Sequence, residues 1–100
     1  MSEPTTDELS RYRAEIDALD LRLLEILNER TAVVECIGRI KEELKLAVYE
    51  PKREEQVYAN ILAHNRGPLP PEAVKRIFER IIDEMRTLQR NNMRGERETC

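Results

Sequence analysis

Three polar side chains occupy positions where the helical pattern of this sequence calls for apolar ones. Arg30 interrupts an apolar stripe that steps from Ile26 to Val33, and Lys41 follows 11 residues later. Eleven helical residues leave a rotation of about 20° and a rise of about 16 Å, so the two cations share a face. Gln89 continues a second apolar stripe in the same way. Core-facing cations, arginine above all, are suited to binding the carboxylates of a small anion.

Each of these residues also has a purely structural explanation. Arg30 could pair with an acidic residue of another helix, Lys41 could lay its stem along the surface, and Gln89 could mark the solvated end of a helix. The pattern alone therefore predicts an anionic small-molecule site and leaves its occupant open. The sequence has no Gly-rich phosphate loop, HExxH motif or CxxC motif. We expect no metal and no cofactor, so an enzyme here would work without them and without a nucleophile.

The composition favours a small helical protein. Of 100 residues, 37% are charged and 4% are aromatic, which is typical of a helical bundle. A net charge of −3 disfavours nucleic-acid binding. The polar, acidic amino terminus and the lack of an apolar run of about 20 residues predict a cytoplasmic protein without a membrane segment. Cys36 and Cys100 are expected to stay unpaired, because cytosolic thiols are kept reduced.

Apolar spacing and capping residues predict three helices. The first runs from Thr6 to about Lys45 without proline, the second begins at Pro51 and stops at Asn65, and Pro70 and Pro71 open the third. We expect one domain over residues 1–92 and a polar, disordered tail over residues 93–100.

The first helix is too long for a compact fold of this size. About 40 residues make a helix of roughly 55 to 60 Å, whereas a domain of this length has a radius of gyration near 13 Å. Helices 2 and 3 could cover only one side of it and would leave Leu24 and Leu27 in water. A second copy of the chain is the natural cover, so the sequence predicts a dimer with paired long helices.

The chain resembles the all-helical, AroQ-class chorismate mutases over about residues 8–90. The resemblance is carried by the runs YRAEIDALDLRLLEILNERTAVVECIGRIK, VYEPKREEQV and GPLPPEAVKRIFERIIDEMRTLQ. It implies an all-α fold of three helices in an intertwined homodimer. It also implies the Claisen rearrangement of chorismate, a dicarboxylate, to prephenate in the shikimate pathway to phenylalanine and tyrosine.

The resemblance implies roles for five residues that bind or stabilise. Arg13 and Arg30 would hold substrate carboxylates, and Arg53 would complete the cationic lining. Lys41 and Gln89 would donate hydrogen bonds to the ether oxygen. In a continuous helix Arg13 would lie about 42 Å from Lys41 and about 25 Å from Arg30, so Arg13 is expected to enter the site from the partner chain.

Further residues of the site follow from the same resemblance. Glu54 would accept a hydrogen bond from the C4 hydroxyl of the substrate, with the backbone near Glu50 beside it, and Ile37 and Ile82 would supply apolar wall. Met85 stands where many relatives carry a small or hydroxyl residue near a substrate carboxylate, which would weaken binding. Glu50 stands where aspartate is common, a milder departure.

Other functions remain open at this point. An isochorismate pyruvate lyase of the same fold uses much the same cationic set, so the motif does not separate the two reactions. The chain could also be a non-catalytic helical dimerisation or regulatory module, or the amino-terminal part of a fused shikimate-pathway enzyme. The full set of polar residues favours a working pocket.

Overall fold

A computed structural model describes residues 3–92 of the chain. Within that range there are three α-helices, α1 (Thr6–Glu43), α2 (Pro51–His64) and α3 (Pro71–Asn92), and no strand. The predicted all-α fold with a very long first helix is confirmed. The predicted tail, 93–100, lies outside the described residues, and the division into a domain of residues 1–92 and a tail stays a prediction.

Helix α1 begins with a side-chain cap. The hydroxyl of Thr5 accepts a hydrogen bond from the backbone N–H of Glu8 at 3.1 Å, and the first turn carries Asp7 and Glu8. This arrangement satisfies one of the free N–H groups at the helix start and places negative charge at the positive end of the helix dipole.

Residues 1–32 form one compact unit, whose described part, from residue 3, contains the amino-terminal portion of α1. Its large apolar side chains are about half exposed on the single chain. They recur at helical spacing as Tyr12, Ile16, Leu19, Leu23 and Ile26, with exposures of 51% to 56%. This unit therefore carries a continuous apolar row that the single chain does not bury.

Residues 33–100 form the second unit, and its described part holds the end of α1 together with α2 and α3. Helices α2 and α3 pack against each other. Val74 and Ile82 of α3 are the buried apolar residues, and Lys41 and Gln89 are buried with them. With Gly38, these are the five buried residues of the described chain, and two of the five carry a charged or amide group.

A Schellman motif ends α1. The backbone N–H of Leu46 donates to the carbonyl of Lys41 at 2.7 Å, and that of Lys45 donates to the carbonyl of Glu42 at 3.2 Å. Lys45 has φ of 60°, the left-handed conformation that this motif requires and that glycine usually supplies. The motif satisfies two carbonyl groups at the helix end and turns the chain back past Lys41.

Helix α2 begins with Pro51 in its first turn and stops before Asn65, which adopts an extended conformation. The connection to α3 is held by its own hydrogen bonds. The side-chain amide of Asn65 donates to the carbonyl of Leu69 at 2.9 Å, and its oxygen accepts from the N–H of Gly67 at 3.0 Å. Gly67 has φ of 76°, which only glycine adopts without strain.

One expectation about the cysteines is wrong. Cys36 is disulfide-bonded in the structure and is not the unpaired thiol that the composition predicted. Cys100 lies outside the described residues.

None of the described helices is long and apolar enough to cross a membrane.

Candidate active site

Lys41 is a buried cation at the end of α1. Only 8% of its surface is exposed to solvent. Its ammonium donates to the carbonyl of Val48 at 2.9 Å and lies 2.6 Å from Oε1 of Glu50. Both partners come from the segment that the Schellman motif turns back. The segment after the motif therefore supplies an accepting carbonyl and a neutralising carboxylate, without which a buried ammonium would be strongly disfavoured.

Gln89 is the second buried polar residue, with 7% of its surface exposed. Its side-chain amide donates to the carbonyl of Val34 on α1 at 3.2 Å. The aliphatic part of the side chain packs on Gly38, where an added Cβ would lie 3.2 Å from Cγ of Gln89. Gly38 lies one turn before Lys41, so the close approach of α3 to α1 brings Gln89 to the turn next to the ammonium.

Each of these two residues keeps a hydrogen-bond donor available. Among the described residues, Val48 and Glu50 occupy two of the three N–H groups of Lys41, and Val34 occupies one of the two N–H groups of Gln89. One donor from α1 and one from α3 thus remain for a ligand. Donors in buried positions suit an oxygen that gains negative charge during a reaction.

An acidic residue and an arginine lie between α2 and α3. Nε of Arg86 lies 3.4 Å from Oε2 of Glu54, within ion-pair distance but not aligned as a hydrogen bond. Nη2 of Arg86 also pairs with Asp83 at 3.0 Å, and its guanidinium lies over the ring of Tyr49 at 5.0 Å. Glu54 is thereby paired with a cation that has two further partners, Asp83 and Tyr49.

The phenol of Tyr58 reports on the charges in this part of the protein. Burial raises the pKa of Tyr58 above its ordinary value, and the negative charge of Glu54 raises it further. The positive charge of Arg86 opposes that rise. Tyr58, Glu54 and Arg86 therefore form one electrostatic group at the α2–α3 interface.

The remaining predicted residues are placed as follows. Arg13 is exposed and Arg30 is half-buried, both on the part of α1 that belongs to the first unit. Arg53 is exposed on α2, where its guanidinium donates to the side chain of Gln56 at 3.4 Å and not to the cluster around Lys41. Met85 is half-buried on α3, one turn before Gln89.

The two predicted wall residues differ in burial. Ile82 is buried in the second unit, whereas Ile37 is 43% exposed on the single chain. The structure therefore brings together Lys41 with Glu50, and Gln89 with the α1 backbone. It places Glu54 in a separate pair with Arg86.

Sequence reasoning missed three contributors to this site. Arg86 was overlooked because it flanks the apolar stripe of α3, four residues after Ile82, where an arginine reads as a surface residue. The carbonyl of Val48 is a backbone group that side-chain patterns do not reveal. Gly38 did give a signal, because a single glycine inside a 38-residue helix costs stability and marks a close approach.

The described residues contain no group of three or more His, Cys, Asp or Glu side chains that could hold a metal ion. The residues described above offer hydrogen-bond donors, fixed charges and the ion-paired carboxylates of Glu50 and Glu54. Such groups bind and orient a ligand and stabilise charge on it.

Comparisons with known proteins point to one family. The family model for chorismate mutase type II matches residues 12–90. A bifunctional chorismate mutase/prephenate dehydratase of Neisseria gonorrhoeae is 38% identical over 90 residues, which cover 90% of this chain and 24% of that protein. The corresponding protein of Aquifex aeolicus is 35% identical over 88 residues, which cover 84% of this chain and 24% of that protein. The chain thus spans about a quarter of the length of these curated relatives.

Two further relatives match over most of their own length. A chorismate mutase of Methanocaldococcus jannaschii is 26% identical over 84% of this chain and 86% of that protein. The structure of a chorismate mutase from Thermus thermophilus superposes with a TM-score of 0.80 at 36% identity, covering 82% of this chain and 93% of that one. With a family model that matches residues 12–90 and the three helices described above, the chain belongs to the type II chorismate mutase family.

Proposed function

We propose that this chain catalyses the Claisen rearrangement of chorismate to prephenate. The observation that carries the proposal is the pair of buried donors, Lys41 on α1 and Gln89 on α3, each with one N–H available among the described residues. Membership of the type II chorismate mutase family supports the choice of reaction.

The proposed reaction needs no group that takes or gives a proton. Within one molecule, a carbon–carbon bond forms as a carbon–oxygen bond breaks, while negative charge grows on the ether oxygen. The protein can accelerate such a step by holding the reactive conformer and by stabilising that charge. In the proposed complex, the free N–H groups of Lys41 and Gln89 both donate to the ether oxygen.

The other predicted residues would bind the rest of the substrate. Arg13, Arg30 and Arg53 would bind its two carboxylates, for which the paired donors of a guanidinium are suited. Glu54 would accept a hydrogen bond from the C4 hydroxyl. Its pairing with Arg86 supports this role, because the guanidinium holds the carboxylate through Oε2 and leaves Oε1 to accept.

We also propose that the working unit is a homodimer in which Arg13 comes from the partner chain. The half-exposed apolar row on residues 12–26 of α1 supports a second copy as its cover. The sequence expectation supports the same arrangement, since 28 positions separate Arg13 from Lys41 and a continuous helix would rise about 42 Å over that number, far more than the size of the substrate.

Product analysis tests the reaction. Purified protein is mixed separately with chorismate and with isochorismate, and the products are identified while the oligomeric state is recorded. Prephenate from chorismate is the expected result. Pyruvate released from isochorismate alone would assign the lyase activity, and no turnover of either compound would leave a non-catalytic module.

Subunit mixing tests the shared site. Arg13→Ala and Lys41→Ala should each be inactive alone. After unfolding and refolding together in equal amounts, about half of the dimers combine the two variants and have one intact site out of two, so about a quarter of wild-type activity should return.

A second mixture is the matched control. In the proposed site Lys41 and Gln89 come from the same chain, which the contact of Gln89 with Gly38 one turn before Lys41 supports. Mixing Lys41→Ala with Gln89→Ala would then produce no intact site. It should restore nothing. Equal recovery in both mixtures, or none in the first, would contradict the contribution of Arg13 in trans.

A further inference from the structure

We propose that Arg86 is a positioning residue that fixes the carboxylate of Glu54 for the hydroxyl of the substrate. The inference rests on the proposed function, because it is there that Glu54 receives the substrate hydroxyl. Arg86 itself needs no contact with the substrate: it acts through Glu54.

The contacts of Arg86 hold its guanidinium in one place. Nη2 pairs with Asp83 one turn earlier on α3 at 3.0 Å, and the planar group lies over the ring of Tyr49 at 5.0 Å. Nε then faces Oε2 of Glu54 at 3.4 Å. An arginine fixed by an acid and an aromatic ring has lost its rotational freedom already, so it can orient a third partner at little further entropic cost.

Burial separates this ion pair from an ordinary surface pair on the same helix. The side chains of Arg86 and Glu54 are 23% and 19% exposed, whereas those of Arg80 and Glu84 are 76% and 60% exposed. Solvent and salt screen the exposed pair strongly and the buried pair much less. Removing Arg86 would therefore leave the Glu54 carboxylate poorly solvated and without its cation.

The geometry also leaves Glu54 able to serve a ligand. Arg86 approaches Oε2, so the lone pairs of Oε1 stay available for a hydroxyl. Nε of Arg86 is buried without an aligned hydrogen bond, and a small movement of Glu54 toward it would complete one. Nε of Arg86 could therefore donate to Glu54 when the carboxylate binds the substrate hydroxyl.

A double-mutant cycle tests the proposal. The variants are Arg86→Met, Glu54→Ala and the combination, with steady-state rates measured on chorismate and thermal unfolding used to check the fold. Arg86→Met should lower kcat/KM roughly tenfold, since displaced binding groups cost this much or more. In the Glu54→Ala background the same substitution should change kcat/KM by less than about twofold, because its target is gone.

Two further readouts separate positioning from a general structural role. Arg86→Lys keeps the charge without the planar fork, so it should recover part of the lost activity. With a chorismate analogue that lacks the C4 hydroxyl, Arg86→Met and the wild type should have the same kcat/KM. Arg80→Met, which removes the exposed pair on the same helix, is the matched control and should leave both substrates unaffected.

The outcomes distinguish this proposal from the proposed function. A wild-type protein that converts no chorismate contradicts the proposed function and this inference with it. An active wild type in which the effects of Arg86→Met and Glu54→Ala multiply, or in which Arg86→Met impairs the analogue equally, overturns the role of Arg86 alone.

Discussion

Gln89 of α3 packs on Gly38 of α1 so closely that an added Cβ at position 38 would lie 3.2 Å from Cγ of Gln89. The glycine therefore sets how near the amide of Gln89 comes to the helix that carries Lys41. The contact explains why a glycine lies here, although glycine is disfavoured inside helices by about 1 kcal/mol relative to alanine.

Gly38→Ala should lower activity while leaving the free energy of unfolding nearly unchanged. The better helix propensity of alanine offsets the crowding against Gln89, but the displaced amide should cost about tenfold in kcat/KM. Steady-state kinetics and urea unfolding measure the two effects. In a Gln89→Ala background, Gly38→Ala should instead stabilise the protein by about 1 kcal/mol, and a loss of stability there would contradict the assigned contact.

Gln89→Glu should be active only at acidic pH. A protonated carboxyl can still donate a hydrogen bond, whereas an ionised one cannot donate and would face the carbonyl of Val34. Because Gln89 is only 7% exposed, desolvation should raise the pKa of the introduced carboxyl, so activity should persist somewhat above about pH 4.3, the ordinary glutamate value, and then fall. A pH profile of kcat/KM checks this, with Gln89→Ala as the control that stays low throughout. Full activity of the glutamate variant at pH 8 would refute the donor role.

Lys45→Gly should stabilise the protein by about 1 kcal/mol. Lys45 has φ of 60° at the end of α1, a conformation that costs an L-residue energy and glycine almost none. The measurement is the midpoint and slope of urea unfolding. Lys45→Ala is the matched control: it keeps a Cβ at the same backbone angle and should not stabilise. An equal gain in both variants would mean that the lysine side chain, not the backbone, carries the effect.

Tyr58 should make the folded state lose stability at alkaline pH. Its pKa is raised above 10.0 in the folded protein, first by burial and then by Glu54, so the unfolded chain releases the proton more readily. The contribution is fully present below pH 10 and is lost as pH rises through the folded value. The free energy of unfolding, measured with urea between pH 9 and 11, should fall more steeply for the wild type than for Tyr58→Phe. Parallel curves would contradict the predicted coupling.

Local signals predicted much of the fold. Pro51 and Pro71 mark the starts of α2 and α3, and a long apolar pattern without proline marks α1, because these features act through nearby backbone and side-chain geometry. The pattern placed Lys41 and Gln89 on core-facing positions but left open that Lys41 lies along the surface and that Gln89 ends a solvated helix; the structure buries both.

Other parts of the site were not readable from the sequence. The partners of Lys41 are the carbonyl of Val48 and the carboxylate of Glu50, and their positions depend on the turn after α1. That turn has Lys45 at the left-handed position, where a glycine would have indicated the turn in the sequence. The pairing of Arg86 with Glu54 joins residues on different helices, and charge pattern within one helix gives no distance between two. The roles of Arg13, Arg30 and Arg53 stay predictions, because they concern a bound substrate.

Lys41 takes part in the turn after α1 twice, once through its carbonyl, which accepts from Leu46, and once through its ammonium, which holds Val48 and Glu50. A residue inserted or deleted between Leu46 and Glu50 would pull one of these partners out of register with the other. The connection between α1 and α2 is therefore a segment of fixed length. Grafts, affinity tags and circular permutations of this chain belong at the α2–α3 turn, where the hydrogen bonds of Asn65 involve no residue of the site.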